Sequence, residues 1–131
     1  MKKEKRKVLL DTSTWVEFFR GTSKTADVVA QLIETGEALI CGVIIYELTQ
    51  GAKPEEAAHL SEVLSALRYI EMTSGLWTKA GNISADLRLK GITLPMSDLL
   101  IGAIALEHGI EVFTLDTHFQ SIPGIKLYHH K

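Results

Sequence analysis

Short apolar runs alternate along this chain with segments whose apolar residues recur every three or four positions. A short apolar run is typical of a strand buried in a parallel sheet, and the wider spacing predicts a helix with one buried face. The runs predict strands at 8–10, 38–41, 69–72 and 112–115, and an edge strand at 125–128. The wider spacings predict helices at 15–20, 23–35, 43–51, 54–67, 76–90 and 95–108. This alternation predicts an α/β fold with a central parallel sheet of four to five strands.

The last predicted helix begins at Pro95 and ends before Gly109, with His108 in its final turn. These are typical helix boundaries. Its body is apolar, and Asp98 at its start is the exception. Asp98 either supports the helix N-terminus, where a negative charge gains about 0.3–1 kcal/mol, or projects into a site at the edge of the sheet. Taken alone, the two interpretations are equally good.

Three further acids lie at similar positions. Asp11 closes the first strand, Asp116 closes the fourth, and Glu47 interrupts the apolar segment 43–48, which is read as a helix although its β-branched residues also suit a strand. The carboxyl ends of parallel strands, and the helix starts that follow them, share one edge of a sheet, where ligands bind. Each acid alone is equally well explained as a cap or a first-turn acid. Together the four predict a site.

Carboxylates gathered at a partly buried edge of the sheet repel one another, and a buried charge without a partner is costly. A cation among them removes both costs. Ligands that are all oxygen suit Mg²⁺ or Mn²⁺. The chemistry that follows is metal-assisted hydrolysis of a phosphodiester.

Composition narrows the class of protein. With 131 residues, of which 46% are hydrophobic and 23% charged, the chain is expected to form a single domain over 1–131. The net charge of −2 gives no general attraction to nucleic acid, so an RNA partner needs local basic patches or metal ions. The charged run 1–7 is interpreted as a solvated arm, with contact to an RNA backbone as the alternative.

Cys41 is the only cysteine and lies in a predicted strand, which predicts a buried core residue and no internal disulfide. The sequence shows no signal peptide and no apolar run long enough to span a membrane. A cytoplasmic protein without a membrane partner is therefore expected.

Four segments, in order along the chain, resemble those of the PIN-domain ribonucleases. They are Leu9-Leu10-Asp11-Thr12-Ser13, Tyr46-Glu47-Leu48 with Gly51, Ser97-Asp98 with Ala103 and Ala105, and Thr114-Leu115-Asp116 with Phe119. The likeness covers nearly the whole chain and is greatest to the VapC-type toxins of toxin–antitoxin pairs. It implies a PIN-like three-layer α/β/α sandwich, Mg²⁺- or Mn²⁺-dependent endoribonuclease activity and a homodimer. It also implies a small VapB-like antitoxin whose C-terminal segment lies over the active site.

The resemblance also implies roles for individual residues. The acids that it assigns to metal binding and catalysis are Asp11, Glu47 and Asp98, with Asp116 as a fourth, more variable one. Thr114 is expected to orient a metal-bound water or a carboxylate, and Thr12 or Ser13 to assist through a hydroxyl or backbone group. Each of these three equally well caps a turn. His118, beside Asp116, is interpreted as a surface or capping histidine, with phosphate binding or acid catalysis as alternatives.

Two other classes of enzyme or signalling domain fit the residues less well, and two PIN-fold alternatives stay open. A phosphatase of the haloacid dehalogenase type needs a second acid two residues after Asp11, where this chain has Ser13. A receiver-type signalling domain usually carries adjacent acids after its first strand, but Thr12 follows Asp11. A PIN-fold nuclease of RNA processing without a toxin role, and a catalytically silent binding module, keep the same residues and stay open.

Overall fold

The computed structural model of the protein describes residues 6–130. Residues 1–5 of the predicted solvated arm, and Lys131, lie outside the described residues. Arg6, in the same charged run, is not a free solvated residue. Its guanidinium binds the carboxylate of Glu111 through two hydrogen bonds and lies 4.8 Å from the centre of the Tyr128 ring.

In the described part of the chain, five parallel strands form the sheet, in the order β3-β2-β1-β4-β5. The strands are β1 (Val8–Leu10), β2 (Ala38–Cys41), β3 (Arg68–Ile70), β4 (Glu111–Phe113) and β5 (Lys126–Leu127). Strand β1 lies at the centre, and its three residues are fully buried. A strand covered on both faces and paired on both edges explains why that short run is wholly apolar.

Within residues 6–130, six α-helices accompany the sheet. They are α1 (Thr12–Arg20), α2 (Lys24–Glu34), α3 (Gly42–Gly51), α4 (Ala57–Ser65), α5 (Ser74–Leu89) and α6 (Met96–His108). Right-handed crossovers place α1 to α4 on one face of the sheet and α5 and α6 on the other, and α1 packs against α2 and α5 against α6. The predicted three-layer α/β/α sandwich is confirmed. No helix within residues 6–130 is long and apolar enough to cross a membrane.

Several predicted boundaries were wrong by a few residues. Helix α1 begins at Thr12, with Asp11 at its N-cap, rather than at Trp15. The helix predicted over 54–67 is a 3₁₀ turn at Pro54–Glu56 followed by α4, and β4 ends at Phe113 rather than at residue 115. A second 3₁₀ turn, at Thr117–Ser121, was not predicted and is called here the 117–121 turn.

The order in which the chain connects the strands distinguishes one position at the carboxyl edge of the sheet, between β1 and β4. From β1 the next strand in sequence lies on one side, and from β4 it lies on the opposite side, so the strand order reverses between these two neighbours. Open α/β sheets bind ligands in the crevice at such a reversal. Here Asp11 follows β1 and Thr114 follows β4.

Candidate active site

Asp11 is held at this reversal by backbone and side-chain hydrogen bonds. Its N–H donates to the carbonyl of Phe113 at 2.9 Å, which extends the pairing of β1 with β4 by one residue. The carboxylate is buried, and its Oδ2 accepts hydrogen bonds from Ser13 Oγ at 2.9 Å and Thr114 Oγ1 at 2.8 Å. Both hydroxyls point at one carboxylate oxygen, so the orientation of Asp11 is fixed.

The same two hydroxyls hold the loop that follows β4. Ser13 Oγ accepts the N–H of Leu115 at 3.0 Å, and Thr114 Oγ1 accepts the N–H of Asp116 at 2.9 Å. Each hydroxyl therefore donates to a carboxylate and accepts from the backbone. The position of Asp116 is coupled in this way to that of Asp11.

Asp98, Asp116 and His118 form a compact group. The Nδ1 atom of His118 lies 2.9 Å from Asp98 Oδ2 and 3.2 Å from Asp116 Oδ2. One ligand atom from each residue falls within 4.8 Å of the other two. Such a group of two carboxylates and an imidazole can hold a divalent ion.

The 117–121 turn brings Asp116 and His118 close to Asp98. Asp116 caps the turn, because its Oδ1 accepts the N–H of His118 at 2.9 Å. Behind the turn, Phe119 and Ile122 are buried, and the turn packs against α6. A Cβ atom on Gly102 of α6 would lie only 2.6 Å from Ile122 Cδ1. The missing side chain at Gly102 lets the turn approach the helix that carries Asp98.

The electrostatics of the group favour an added positive charge. Burial raises the pKa of Asp98, and the charges of Asp11 and Asp116 raise it further, while the hydrogen bond with His118 lowers it. The pKa of His118 is raised chiefly by its hydrogen bond to Asp98 and then by the charge of Asp116. Three carboxylates thus act on one another, and a protonated imidazole offsets part of their repulsion. A divalent cation fits the same position for the same reason.

Glu47 lies at the same edge of the sheet, on α3, but beside the compact group rather than within it. Thr12 Oγ1 donates to Glu47 Oε1 at 2.7 Å and so ties α1 to α3. Burial raises the pKa of Cys41 to about 11, and the charges of Glu47 and Asp11 add to this effect. Within residues 6–130, the compact set of possible metal ligands excludes both Glu47 and Asp11. The prediction that Cys41 is a buried core residue is confirmed.

One interpretation of the sequence needs correction, and the contacts of one residue were not predicted. Asp116 does not close a strand, since β4 ends at Phe113 and Asp116 caps the 117–121 turn instead. His118 is partly exposed, as expected, but its ring contacts two carboxylates. The sequence held one indication of these contacts. His118 lies two residues after an acid and directly before Phe119, an apolar residue that anchors the loop in the core.

A groove of about 440 Å³ opens beside Glu47, between α1, α3 and the start of α4. Its apolar lining includes Val16, Phe19 and Leu60. The groove therefore adjoins the candidate site through Thr12 and Glu47, which line it as well.

The fold, together with the acids gathered where the strand order reverses, defines a class of protein. The family model of the PIN domain matches residues 8–125, and the chain belongs to this family. Within it, the chain is 30% identical over 124 residues to Ribonuclease VapC11 of Mycobacterium tuberculosis, covering 90% of this chain and 92% of that protein. It is also 27% identical over 120 residues to Ribonuclease VapC19 of the same species, covering 90% and 96%.

A solved structure shows the same fold. The structure of DNA-bound VapBC from Salmonella typhimurium includes a chain that matches with a TM-score of 0.81 at 24% identity. The match covers 95% of this chain and 98% of that chain.

Proposed function

We propose that the protein is a metal-dependent endoribonuclease that hydrolyses RNA phosphodiester bonds and is the toxin of a VapBC-type pair. The relative that is 30% identical is named a VapC ribonuclease and is matched over 92% of its length. The observation that carries the proposal is the approach of Asp98, Asp116 and His118 to one another at the reversal of the sheet, beside Asp11. A cation in this group would offset the repulsion between its carboxylates.

Mg²⁺ or Mn²⁺ is the proposed cofactor. The acids proposed to hold it are Asp11, Glu47, Asp98 and Asp116. Burial is the main cause of the raised pKa of Asp98, and the charges of Asp11 and Asp116 raise it further. A cation would neutralise these two neighbouring charges, which supports Asp11, Asp98 and Asp116 as members of this set. When bound, such an ion supplies an activated water and offsets the charge that develops on the phosphate.

The remaining residues of the site position these acids. Ser13 and Thr114 fix the orientation of Asp11, and Thr114 also holds the backbone at Asp116. Thr12 orients Glu47. Hydroxyls of this kind set the direction of metal-binding carboxylates, and losing such a partner typically costs about 10–100-fold in affinity or activity.

A VapB-like antitoxin is the proposed protein partner, and the groove beside Glu47 is where its C-terminal segment would reach the site. The apolar lining from Val16, Phe19 and Leu60 suits an amphipathic segment. Related solved structures support such a partner, since they include a toxin–antitoxin complex from Klebsiella pneumoniae and the DNA-bound VapBC of Salmonella typhimurium. We further propose a homodimer and a cytoplasmic location.

Cleavage of a mixed RNA pool tests the enzymatic part of this proposal. Wild-type protein is incubated with Mg²⁺ or Mn²⁺, with EDTA, and beside the variant Asp98→Asn. The control Asp86→Asn removes an exposed acid on α5. Cleavage should require the ion, fall by about 100-fold or more in Asp98→Asn and persist in Asp86→Asn. Equal cleavage by all three proteins would contradict the proposal. Cleavage by none of them would also contradict it, and would favour the catalytically silent binding module.

Expression in a bacterial host tests the toxin role separately. Wild type should arrest growth, Asp98→Asn should not, and co-expression of a cognate antitoxin should restore growth to the wild-type strain. Metal-dependent cleavage without any arrest would instead favour a nuclease of RNA processing.

A further inference from the structure

We propose that His118 is itself a ligand of the divalent ion, through Nδ1. With Asp98 and Asp116 it would form a mixed nitrogen and oxygen set that favours a transition-metal ion such as Mn²⁺ over Mg²⁺. This inference rests on the proposed function, but its test does not depend on RNA cleavage.

The spacing of the three groups matches a coordination sphere. Ligands at about 2.0–2.1 Å from an octahedral ion stand about 2.9 Å apart along each edge of the octahedron. His118 Nδ1 lies 2.9 Å from Asp98 Oδ2 and 3.2 Å from Asp116 Oδ2. The ligand atoms of all three residues lie within 4.8 Å of one another. An ion can therefore take the position between these atoms once the side chains adjust around it.

The imidazole is brought to this place by rigid neighbours. Asp116 binds the backbone N–H of His118 through Oδ1, which leaves its Oδ2 facing the imidazole. The next residue, Phe119, is fully buried and fixes the turn against the core. The side chain of His118 is 48% exposed, so the opposite side of the ion would be open to water and to a substrate phosphate. Ligands fixed on one side and an open position on the other are typical of a catalytic metal site.

A nitrogen ligand changes which ion the site prefers. Mg²⁺ binds through oxygen and keeps several of its waters, whereas imidazole is a ligand of transition-metal ions. An acid set without His118 would give little reason to prefer Mn²⁺. The two carboxylates with the imidazole should therefore bind Mn²⁺ more tightly than Mg²⁺.

The decisive experiment detects nitrogen bound to the metal. Electron spin-echo envelope modulation of the Mn²⁺-loaded protein should show coupling to an imidazole nitrogen in wild type. The coupling should vanish in His118→Gln. It should persist in His108→Gln, which alters an exposed histidine in the last turn of α6, at the opposite end of the helix from Asp98. Absence of nitrogen coupling in wild type, its persistence in His118→Gln, or failure of wild type to bind Mn²⁺ would overturn the inference.

Metal titrations at one fixed pH test the preference. His118→Gln should weaken Mn²⁺ binding by about tenfold or more and weaken Mg²⁺ binding much less. An equal loss for both ions would refute the preference. If wild type cleaves RNA with a metal but shows no nitrogen coupling, this inference fails and the proposed function stands. If nitrogen coupling is present without RNA cleavage, the proposed function fails and this inference stands.

Discussion

Asp98 is a buried acid in the first turn of α6, just before the apolar body of the helix at 99–106. Its raised pKa means that its surroundings disfavour the charged form, mainly through burial and then through Asp11 and Asp116. Asparagine keeps the shape of the side chain without the charge. We therefore expect metal-free Asp98→Asn to melt at least as high as metal-free wild type, with an unchanged circular dichroism spectrum. A melting temperature several degrees lower would argue against a crowded acidic site.

His118 should make the stability of the metal-free protein depend on pH. Its pKa is raised above the ordinary 6.5 in the folded protein, so the folded state binds this proton more tightly than the unfolded chain. The contribution is fully present below 6.5 and is lost as the pH rises through the higher folded value. The raised pKa of Asp98 acts in the same direction at lower pH, where stability falls as the pH rises above its ordinary 3.8.

Urea unfolding in EDTA at about pH 6 and about pH 8 measures this contribution. The free energy of unfolding should fall between the two values by more in wild type than in His118→Gln. His108→Gln, the exposed control on α6, should behave as wild type does. Equal falls in wild type and His118→Gln would show that His118 gains nothing from its carboxylate neighbours.

At the scale of elements, the contact between α6 and the 117–121 turn positions the site. Gly102→Ala would place a methyl group 2.6 Å from Ile122 Cδ1, so this buried side chain, which follows the turn directly, must move. Crowding a packed core costs about 1–3 kcal/mol. We expect Gly102→Ala to lower the free energy of unfolding and to reduce RNA cleavage, because Asp116 and His118 move away from Asp98.

A second glycine offers a matched control. Gly81 lies inside α5, and a Cβ there meets nothing within 4 Å. Alanine at this position should stabilise the protein by about 0.8–1.0 kcal/mol through helix propensity alone, and cleavage should not change. If Gly102→Ala also stabilises and leaves cleavage unchanged, the turn does not depend on this contact.

The elements that bury a regular face could be predicted from the sequence. The parallel sheet, its five strands and the six helices follow from runs such as 8–10 and from the spacing in 95–108, because burial selects apolar residues at fixed intervals. Boundaries were less predictable. Asp11, rather than a residue of 12–14, is the N-cap of α1, and its side chain makes no capping hydrogen bond. The side chains of Thr12 and Ser13 bind carboxylates instead of the helix start.

The 117–121 turn could not be predicted in the same way. A single turn of 3₁₀ helix is too short to show a periodic pattern. The role of His118 depends on where the turn is packed. That position is decided by the contact of the neighbouring Ile122 with Gly102, which is distant in the sequence. The position of Asp116 and the contacts of His118 are therefore tertiary features. The four acids were recognisable because charge inside apolar segments is unusual, whereas a histidine in a polar loop is not.

At the scale of the whole molecule, binding of an ion to the folded state alone should stabilise the protein. At a concentration of about 100 times the dissociation constant, the gain is about 2.7 kcal/mol. The melting temperature should therefore rise with added Mn²⁺ in wild type and in Asp86→Asn. It should rise little in Asp98→Asn, which lacks one of the proposed ligands.

The most direct test of the central claim measures RNA cleavage and melting temperature over one series of Mn²⁺ concentrations. If the proposed site both holds the ion and cleaves RNA, the two curves of wild type share a midpoint, and both responses disappear in Asp98→Asn while Asp86→Asn keeps them. Cleavage that survives in Asp98→Asn, or that saturates at a concentration far from the midpoint of stabilisation, would place the activity elsewhere and contradict the account.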